Sequence, residues 1–118
     1  MNIEDLLKDS DKAREILEDA LADKNKELAE LLVPVAKDPW LTYGYAYLIK
    51  KPVKDEWENI IAQDPQSSCS YAIDILHKPF IKGEGVIIKS MWLNEYVDFL
   101  KEINKLDEFL KDHPEVKL

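Results

Sequence analysis

Two consecutive stretches of the chain, AKDPWLTYGYAYLIKKPVKDEWENIIA at residues 36–62 and AQDPQSSCSYAIDILHKPFIKGEGVIIKS at residues 62–90, are copies of one pattern. Each copy begins with Ala-x-Asp-Pro, carries Tyr-Ala seven residues after the aspartate, continues with Lys-Pro and an apolar residue, and ends with a glutamate followed by two isoleucines. A recurrence of about 26 residues is typical of a repeat protein whose units stack on one another. The matching positions are Asp38 and Asp64, Tyr45 and Tyr71, Lys51 and Lys78, and Glu58 and Glu84.

The repeated pattern predicts helices. The side chain of Asp accepts hydrogen bonds from the first N–H groups of a helix, and Pro at the next position has no N–H to leave unpaired. We therefore expect Asp38 and Asp64 to be N-caps. Apolar residues then recur at three- and four-residue steps, and Lys-Pro ends each helix. The run Val-Ile-Ile at residues 86–88 favours a strand by propensity, but its counterpart at residues 59–61 lies in a helical pattern, which predicts a helix there too.

These features predict an all-α fold, a single domain of seven or eight short helices stacked as antiparallel pairs in a short α-solenoid-like array. The two clear copies would be flanked by degenerate end units, giving four units, and a first short helix is expected at residues 2–8. Ser90 is expected to cap the last and longest helix. The predicted order is a degenerate capping unit at 1–35, a repeat at 36–61, a repeat at 62–89, a capping helix at 90–110 and a frayed tail at 111–118.

The repeat resembles a short helical tandem repeat found in proteins of bacteriophages and large DNA viruses. The resemblance covers residues 36–96, about half of the chain, and rests on the Asp-Pro, Tyr-Ala, Lys-Pro and Glu-x-x-Ile-Ile elements. The second copy has the Lys-Gly-Glu form of the pattern at residues 82–84, and the first copy departs from it with Lys-Asp-Glu at residues 54–56. The resemblance implies a helical array and a phage origin. It brings no activity to this chain, because that group of proteins has none assigned.

Size and composition exclude several classes of protein. A chain of 118 residues with 46% apolar and 34% charged residues has the balance of one globular domain. The single Cys69 cannot form an internal disulfide, which predicts a reducing compartment. Neither a signal segment nor a membrane span is visible in the sequence, so we expect the cytoplasm, that of the host for a phage protein. The net charge of −8 argues against direct binding to nucleic acid or to an anionic membrane.

No residue pattern predicts catalysis, a cofactor or a metal. The two histidines are 36 residues apart and have no cysteine or carboxylate at ligand spacing. The cysteine has no histidine near it in sequence and is expected to be a half-buried structural thiol. Glu58 and Glu84 hold equivalent positions in the two copies, so we expect a helix cap or a hydrogen bond between units at each. The Lys-Gly-Glu-Gly run at residues 82–85 lacks a phosphate-loop fingerprint and is expected to be a turn. We therefore do not expect an enzyme.

The chain is rich in aromatic residues for its length, and some of them suggest a binding surface. Tyr43 and Tyr47 lie one helical turn apart, offset from the expected buried stripe, and with Trp40 they would form an exposed strip. Such a strip has the composition of a protein–protein hot spot, and core packing between units is the alternative. Stacking places this strip beside the equivalent helix of the next unit. The predicted partner-binding residues are Trp40, Tyr43, Tyr47, Gln66 and Ile73.

An acidic face on the predicted helix near the N-terminus suggests a second function. Its four carboxylates would project from one side, and a solvated helix face is the simpler explanation. Our first hypothesis is a non-catalytic protein-interaction module, encoded by a phage and modulating a host protein. The alternative is an acidic mimic of nucleic acid that inhibits a host nucleic-acid-binding protein or defence system, although nearby lysines dilute its charge. The residues of the acidic face are Asp11, Glu15, Glu18 and Asp19.

Overall fold

The computed structural model describes residues 9–118, which fold into eight α-helices and one π-helical turn. The prediction of an all-α fold is confirmed. The helix expected at residues 2–8 lies outside the described residues. The π-helical turn, Ala72–Leu76, continues directly from the fifth helix. The helices are α1 Ser10–Ala22, α2 Lys26–Ala36, α3 Pro39–Ile49, α4 Asp55–Ile61, α5 Pro65–Tyr71, α6 Ile81–Ile88, α7 Leu93–Glu102 and α8 Leu106–Asp112.

The predicted aspartate caps are confirmed. The side chain of Asp38 accepts a hydrogen bond of 3.0 Å from the backbone N–H of Leu41. Asp64 accepts two, from the backbone N–H of Ser67 at 2.8 Å and from its hydroxyl at 2.7 Å. In both helices proline follows the cap as the first helical residue. The two halves of the repeat therefore begin with the same local chemistry, and the helix starts there because the capping atoms are supplied in sequence.

The helices pack as four hairpins. Helices α1 and α2, α3 and α4, α5 and α6, and α7 and α8 contact each other in turn, and two helices joined by a short turn and packed together run antiparallel. The first helices of successive hairpins stack as well, α1 on α3 and α3 on α5, and α4 packs on α6. The result is a body of 51 × 23 × 21 Å, elongated along the direction of stacking.

A left-handed residue recurs where the first helix of each unit ends. Four residues there adopt the left-handed conformation, with φ between 55° and 60°, and their positions are 26, 27 and 27 residues apart. This spacing supports four units, two clear copies between two degenerate ones. Glycine or asparagine usually holds such a position, because a side chain other than these is strained at positive φ. The four residues are Lys24, Lys50, His77 and Asn104.

The π-helical turn absorbs a one-residue insertion in the second copy. From Tyr-Ala to Lys-Pro the first copy has one residue fewer than the second. In the first copy the carbonyl of Ala46 accepts from the N–H of Lys50, four residues on. In the second, the carbonyl of Ala72 accepts from the N–H of His77, five residues on, at 2.8 Å. The wider turn keeps the helix end and the Lys-Pro segment in register with the first copy.

A buried tyrosine ties the third unit to the second. The hydroxyl of Tyr71 donates to Glu58 Oε2 at 2.6 Å and accepts from the backbone N–H of Val53 at 3.0 Å. Val53 is the apolar residue after Lys-Pro, and Glu58 is the repeated glutamate. One phenol thus satisfies a backbone donor and a carboxylate of the preceding unit at once. The prediction of a hydrogen bond between units at this glutamate is confirmed.

The same tie recurs one unit later and is more deeply buried. The hydroxyl of Tyr96 donates to Glu84 Oε2 at 2.5 Å and accepts from the N–H of Phe80 at 3.1 Å. Glu84 is only 1% exposed, and its other oxygen lies 3.1 Å from Nε2 of His113. Burial, and then the hydrogen bond to the carboxylate, raise the pKa of Tyr96 well above its ordinary value, so the phenol remains a donor across the neutral range.

Helix α3 lies between two hydrophobic clusters. Tyr45 packs in the first cluster, with α1 and α2, and its ring meets that of Trp57 edge-on at 5.4 Å between centroids. Tyr43 and Ala46 belong to the second cluster, which continues through the third and fourth units. Because neighbours cover two of its sides, Trp40 and Tyr47 are the only exposed residues among the eleven of α3.

The prediction of one long helix over residues 90–110 is wrong. The chain bends at Asn104 between α7 and α8, and α1 is the longest of the helices in residues 9–118. Ser90 does not cap α7, which begins at Leu93. Its hydroxyl instead donates to the carbonyl of Ile87 at 2.8 Å and accepts from the N–H of Trp92 at 3.1 Å. The serine closes the turn after α6, because the fourth unit is a hairpin like the others.

The prediction of a frayed tail at residues 111–118 is also wrong for much of that segment. Helix α8 continues to Asp112, His113 contacts the buried Glu84, and Val116 packs against the second cluster. A buried carboxylate is destabilising unless donors surround it, and the tail supplies one. The physical reason for the order is therefore the carboxylate in the preceding unit, which local sequence at the C-terminus does not reveal.

The Lys-Gly-Glu-Gly run at residues 82–85 is helical, contrary to the expected turn. It forms the first half of α6. A Cβ placed on Gly83 would lie 2.5 Å from Ser68 Cβ and 2.8 Å from Phe80 Cδ2, whereas one on Gly85 would meet nothing within 4 Å. Gly83 therefore lets α6 approach α5 closely, and this packing overrides the weak helix propensity of glycine.

Replacing each of these two glycines by alanine should have opposite effects on stability. Gly85→Ala should raise the free energy of unfolding by about 0.5–1 kcal/mol, since alanine is the better helix former. Gly83→Ala gains the same propensity but forces α5 and α6 apart, with a net loss of about 1–3 kcal/mol. Urea unfolding followed by circular dichroism measures both. Equal effects of the two changes would contradict the close approach of α6 to α5.

Replacing Tyr96 by phenylalanine should be strongly destabilising although the ring is retained. The change leaves a buried carboxylate oxygen and the N–H of Phe80 without their partner, which should lower the free energy of unfolding by roughly 1.5–3 kcal/mol. Tyr47→Phe is the control, because that side chain is exposed and should change stability by less than about 0.5 kcal/mol. Similar unfolding midpoints for the two variants would show that the tie does not hold the units together.

Candidate functional site

Three aromatic side chains follow one another along α3. The ring centroids of Trp40 and Tyr43 are 5.1 Å apart, and those of Tyr43 and Tyr47 are 6.1 Å apart. Trp40 is 46% exposed and Tyr47 60% exposed, whereas Tyr43 between them is only 8% exposed. We call Trp40 and Tyr47 the aromatic ridge. The two ridge residues are seven positions apart, two helical turns, so they project from the same edge of α3.

Tyr43 lies in the interior, which corrects the expectation of an exposed strip of three. Its hydroxyl donates to Asp74 Oδ2 at 2.6 Å, across the contact between α3 and the π-helical turn. Burial, then this hydrogen bond, raise the pKa of the phenol well above its ordinary value. Tyr43 thus joins two units and supports the ridge from beneath. Both exposed rings lie against the ring of Tyr43 at tilted angles, 33° for Trp40 and 51° for Tyr47.

Two grooves flank the ridge residue Tyr47 at the ends of the first helices, and Trp40, two turns earlier on α3, lines neither of them. The first groove, of about 430 Å³, lies between α1 and α3, and the second, of about 290 Å³, lies between α3 and the π-helical turn. Tyr47 and Lys50 line both, so the end of α3 separates them. The first groove is further lined by Leu21, Lys24, Lys26, Gly44 and Leu48, and the second by Asp74, Ile75 and His77.

Gly44 keeps the floor of the first groove narrow. A Cβ at this position would lie 3.2 Å from Leu21 Cδ1, closer than ordinary van der Waals contact. The missing side chain lets α1 and α3 approach each other closely beside the groove. The groove is therefore built by the packing of neighbouring units, and its walls are helix ends.

The rim of the first groove is basic, and the rim of the second combines a lysine with a histidine and an aspartate. The left-handed residues that end α1, α3 and the π-helical turn, namely Lys24, Lys50 and His77, all lie on these rims, and Lys26 joins the first of them. Among residues 9–118, Asp74 is the one acidic residue that lines either groove, and it accepts a hydrogen bond from the hydroxyl of Tyr43. A cation at the end of a helix is favourable to the helix dipole, so part of this pattern is structural. The stacking of the units brings these helix-end side chains together beside the grooves.

Gln66 and Ile73 lie on the neighbouring element, as the repeat predicted, but line neither groove. Gln66 is exposed in the first turn of α5, and Ile73 is partly buried against the second cluster. The structure brings their helix alongside α3. Sequence reasoning missed Lys24, Lys50 and His77. The signal was available, because the latter two immediately precede Lys51-Pro52 and Lys78-Pro79.

The residues of the acidic face are all exposed on α1. Asp11 forms an ion pair of 3.1 Å with Arg14, and Glu15 one of 3.7 Å with Lys12. Glu18 and Asp19 are also exposed. Exposed pairs of this kind contribute little to stability, but they halve the local density of negative charge. The face is less like a row of phosphates than its sequence suggests.

Chemical groups with other possible roles are dispersed or buried. Within residues 9–118 no three His, Cys, Asp or Glu side chains come close enough to hold a metal ion. Cys69 is fully buried, more than the half expected. In the same part of the chain, no helix has the length and apolar character needed to cross a bilayer. Comparisons with protein-family models, curated proteins and solved structures find no match to this chain.

The thiol of Cys69 should be unreactive in the folded protein. Burial, and then the carboxylates of Glu95 and Asp74, raise its pKa to about 12, so at pH 8 almost no thiolate is present and reagents cannot reach it. A disulfide reagent such as dithionitrobenzoate should modify the protein only at the rate of unfolding. The same protein in concentrated urea, where one thiol per chain should react rapidly, is the control. Rapid native reaction would mean that α5 is not packed as described.

Proposed function

We propose that this chain is a non-catalytic interaction module that binds a protein partner through the aromatic ridge and its flanking grooves. The observation that carries the proposal is the pair Trp40 and Tyr47, large aromatic side chains left exposed on one helix edge while Tyr43 holds that edge in place. Exposed, well-supported tryptophan and tyrosine are the residues that most often dominate protein–protein binding energy.

The surroundings of the ridge support a protein partner. Grooves on either side can accept apolar side chains, and polar and charged groups ring them, which is the arrangement of a hot spot with a polar rim. Stacked helical repeats place such surfaces on consecutive units and therefore suit extended contacts. The resemblance to repeat proteins of bacteriophages favours a host protein as the partner and the host cytoplasm as the place of action.

Nucleic-acid mimicry is the competing function. It draws on the net charge of −8 and on the exposed carboxylates of α1. We favour the ridge because Arg14 and Lys12 partly neutralise the acidic face, whereas a mimic needs carboxylates at the density of phosphates. The two functions use different surfaces, so substitutions can separate them.

The test begins with a partner isolated by affinity capture from a bacterial lysate and continues with purified components. Trp40→Ser combined with Tyr47→Ser should weaken binding at least roughly thirtyfold, since hot-spot truncations cost about 2 kcal/mol or more. Isothermal titration calorimetry measures the affinity, and circular dichroism checks that folding survives. Tyr43 is left intact because it is part of the core.

Met91→Ser is the matched control. Met91 is 86% exposed and lines neither groove, so its loss removes apolar surface of comparable kind from elsewhere. It should leave the affinity within about twofold of the unchanged protein. If the ridge variant binds normally and the reversal Asp11→Lys, Glu15→Lys, Glu18→Lys abolishes binding, the mimic is correct and the proposed function is wrong.

A further inference from the structure

We infer that the two grooves recognise an extended acidic segment of the partner, with apolar side chains three residues apart. This inference rests on the proposed function and adds the chemistry of the partner to it. The grooves are consecutive versions of one site. Leu48 in the first and Ile75 in the second each lie two residues before a left-handed basic residue, Lys50 and His77 respectively. Equivalent positions in adjacent units thus present the same pairing of apolar floor and cationic rim.

The charge of the rims determines the sign of the ligand. Three lysines, against the single carboxylate of Asp74, line the grooves of a protein whose net charge is −8. In residues 9–118 the carboxylates that form ion pairs do so with other cations, and none lies within ion-pair distance of Lys24, Lys26 or Lys50. The ammonium groups are therefore available to an incoming anion. Complementary charge at a rim contributes mainly to specificity and to the rate of association.

The walls of both grooves include apolar side chains, so a simple anion would leave part of each groove unused. The first groove is lined by Leu21, Leu48 and the ring of Tyr47, and the second by Ile75 and the other side of the same ring. Burying aliphatic or aromatic side chains there would release water from both surfaces. A peptide that carries carboxylates next to its apolar side chains satisfies floor and rim together. A nucleic acid would satisfy the rim alone and would meet the acidic remainder of the molecule.

The distance between units sets the spacing of the peptide. Packed helices lie roughly 8–10 Å apart, and a peptide in the polyproline II conformation advances about 3.1 Å per residue with three residues per turn. Side chains three residues apart therefore project from the same side of such a peptide, about 9 Å apart, and fall into successive grooves on either side of Tyr47. Acidic residues next to each apolar one would then lie against Lys24 and Lys26 at one end and Lys50 at the ridge. The ridge residue Tyr47 would contact the peptide between its two anchors.

The test uses a displayed library of random peptides selected on the immobilised protein. The expected product is a family of peptides with two apolar residues three apart and glutamate or aspartate beside them. The best peptide is then synthesised with a fluorescent label and titrated by polarisation. Lys24→Glu combined with Lys50→Glu should weaken its binding at least tenfold, because two favourable contacts become repulsive.

Lys37→Glu is the matched control. Lys37 also ends a helix, has φ of 51° and is exposed, but it lines neither groove. It makes the same reversal as each single site of the double variant, in the same backbone conformation, so it should alter peptide affinity by less than twofold. An equal loss in the control variant would mean that net charge alone governs binding, and the inference would be wrong.

Other outcomes also decide the question. Selection of basic or uncharged peptides, or of none, overturns the inference. If the purified partner needs Trp40 and Tyr47 but binds the Lys24→Glu, Lys50→Glu variant normally, the acidic segment is wrong and the proposed function stands. If the ridge variant binds the partner normally, the proposed function fails as well. Loss of partner binding in both the ridge and the rim variants, with the Lys37→Glu protein unaffected, supports both.

Discussion

The architecture depends on a tyrosine hydroxyl shared between a buried carboxylate and a backbone N–H of the preceding unit. A carboxylate as enclosed as Glu84 would destabilise the fold by several kcal/mol if it lacked donors. Tyr96 from the next unit and His113 from the tail supply them. Glu84 of the third unit therefore needs the fourth unit to be packed against it. The buried glutamate must meet its hydrogen-bond donors within an otherwise apolar contact. This limits the ways in which the hairpins can pack on one another.

The distance along the chain between interacting residues explains which sequence predictions are confirmed. Asp38 and Asp64 act on N–H groups three residues away, so their role is encoded locally and is visible in sequence. The all-α fold follows from such local signals repeated at a fixed interval. The order of the tail is not visible, because it depends on a carboxylate 29 residues earlier. The helical state of residues 82–85 likewise depends on Ser68 in a neighbouring helix, and local propensity indicates the opposite.

The surface of α3 was predicted only in part for a related reason. An amphipathic helix at the edge of a protein shows its buried face in its pattern. Helix α3 is apolar on most sides and packs between two clusters, so its pattern contains no unique buried face. Whether Tyr43 or Tyr47 is exposed is decided by Asp74, which reaches Tyr43 from another unit. The basic rims have the same origin, since only stacking assembles Lys24, Lys50 and His77 beside grooves.

The π-helical turn has a consequence for how such an array can diverge. One added residue in an α-helix rotates everything after it by about 100°, which would turn buried side chains towards water. Here the added residue widens a single turn, and His77 and the Lys-Pro that follows resume the positions they hold in the other copy. The helix ends therefore act as fixed points between which length can vary. Copies of the unit can therefore diverge by insertion as well as by substitution while they keep the same packing.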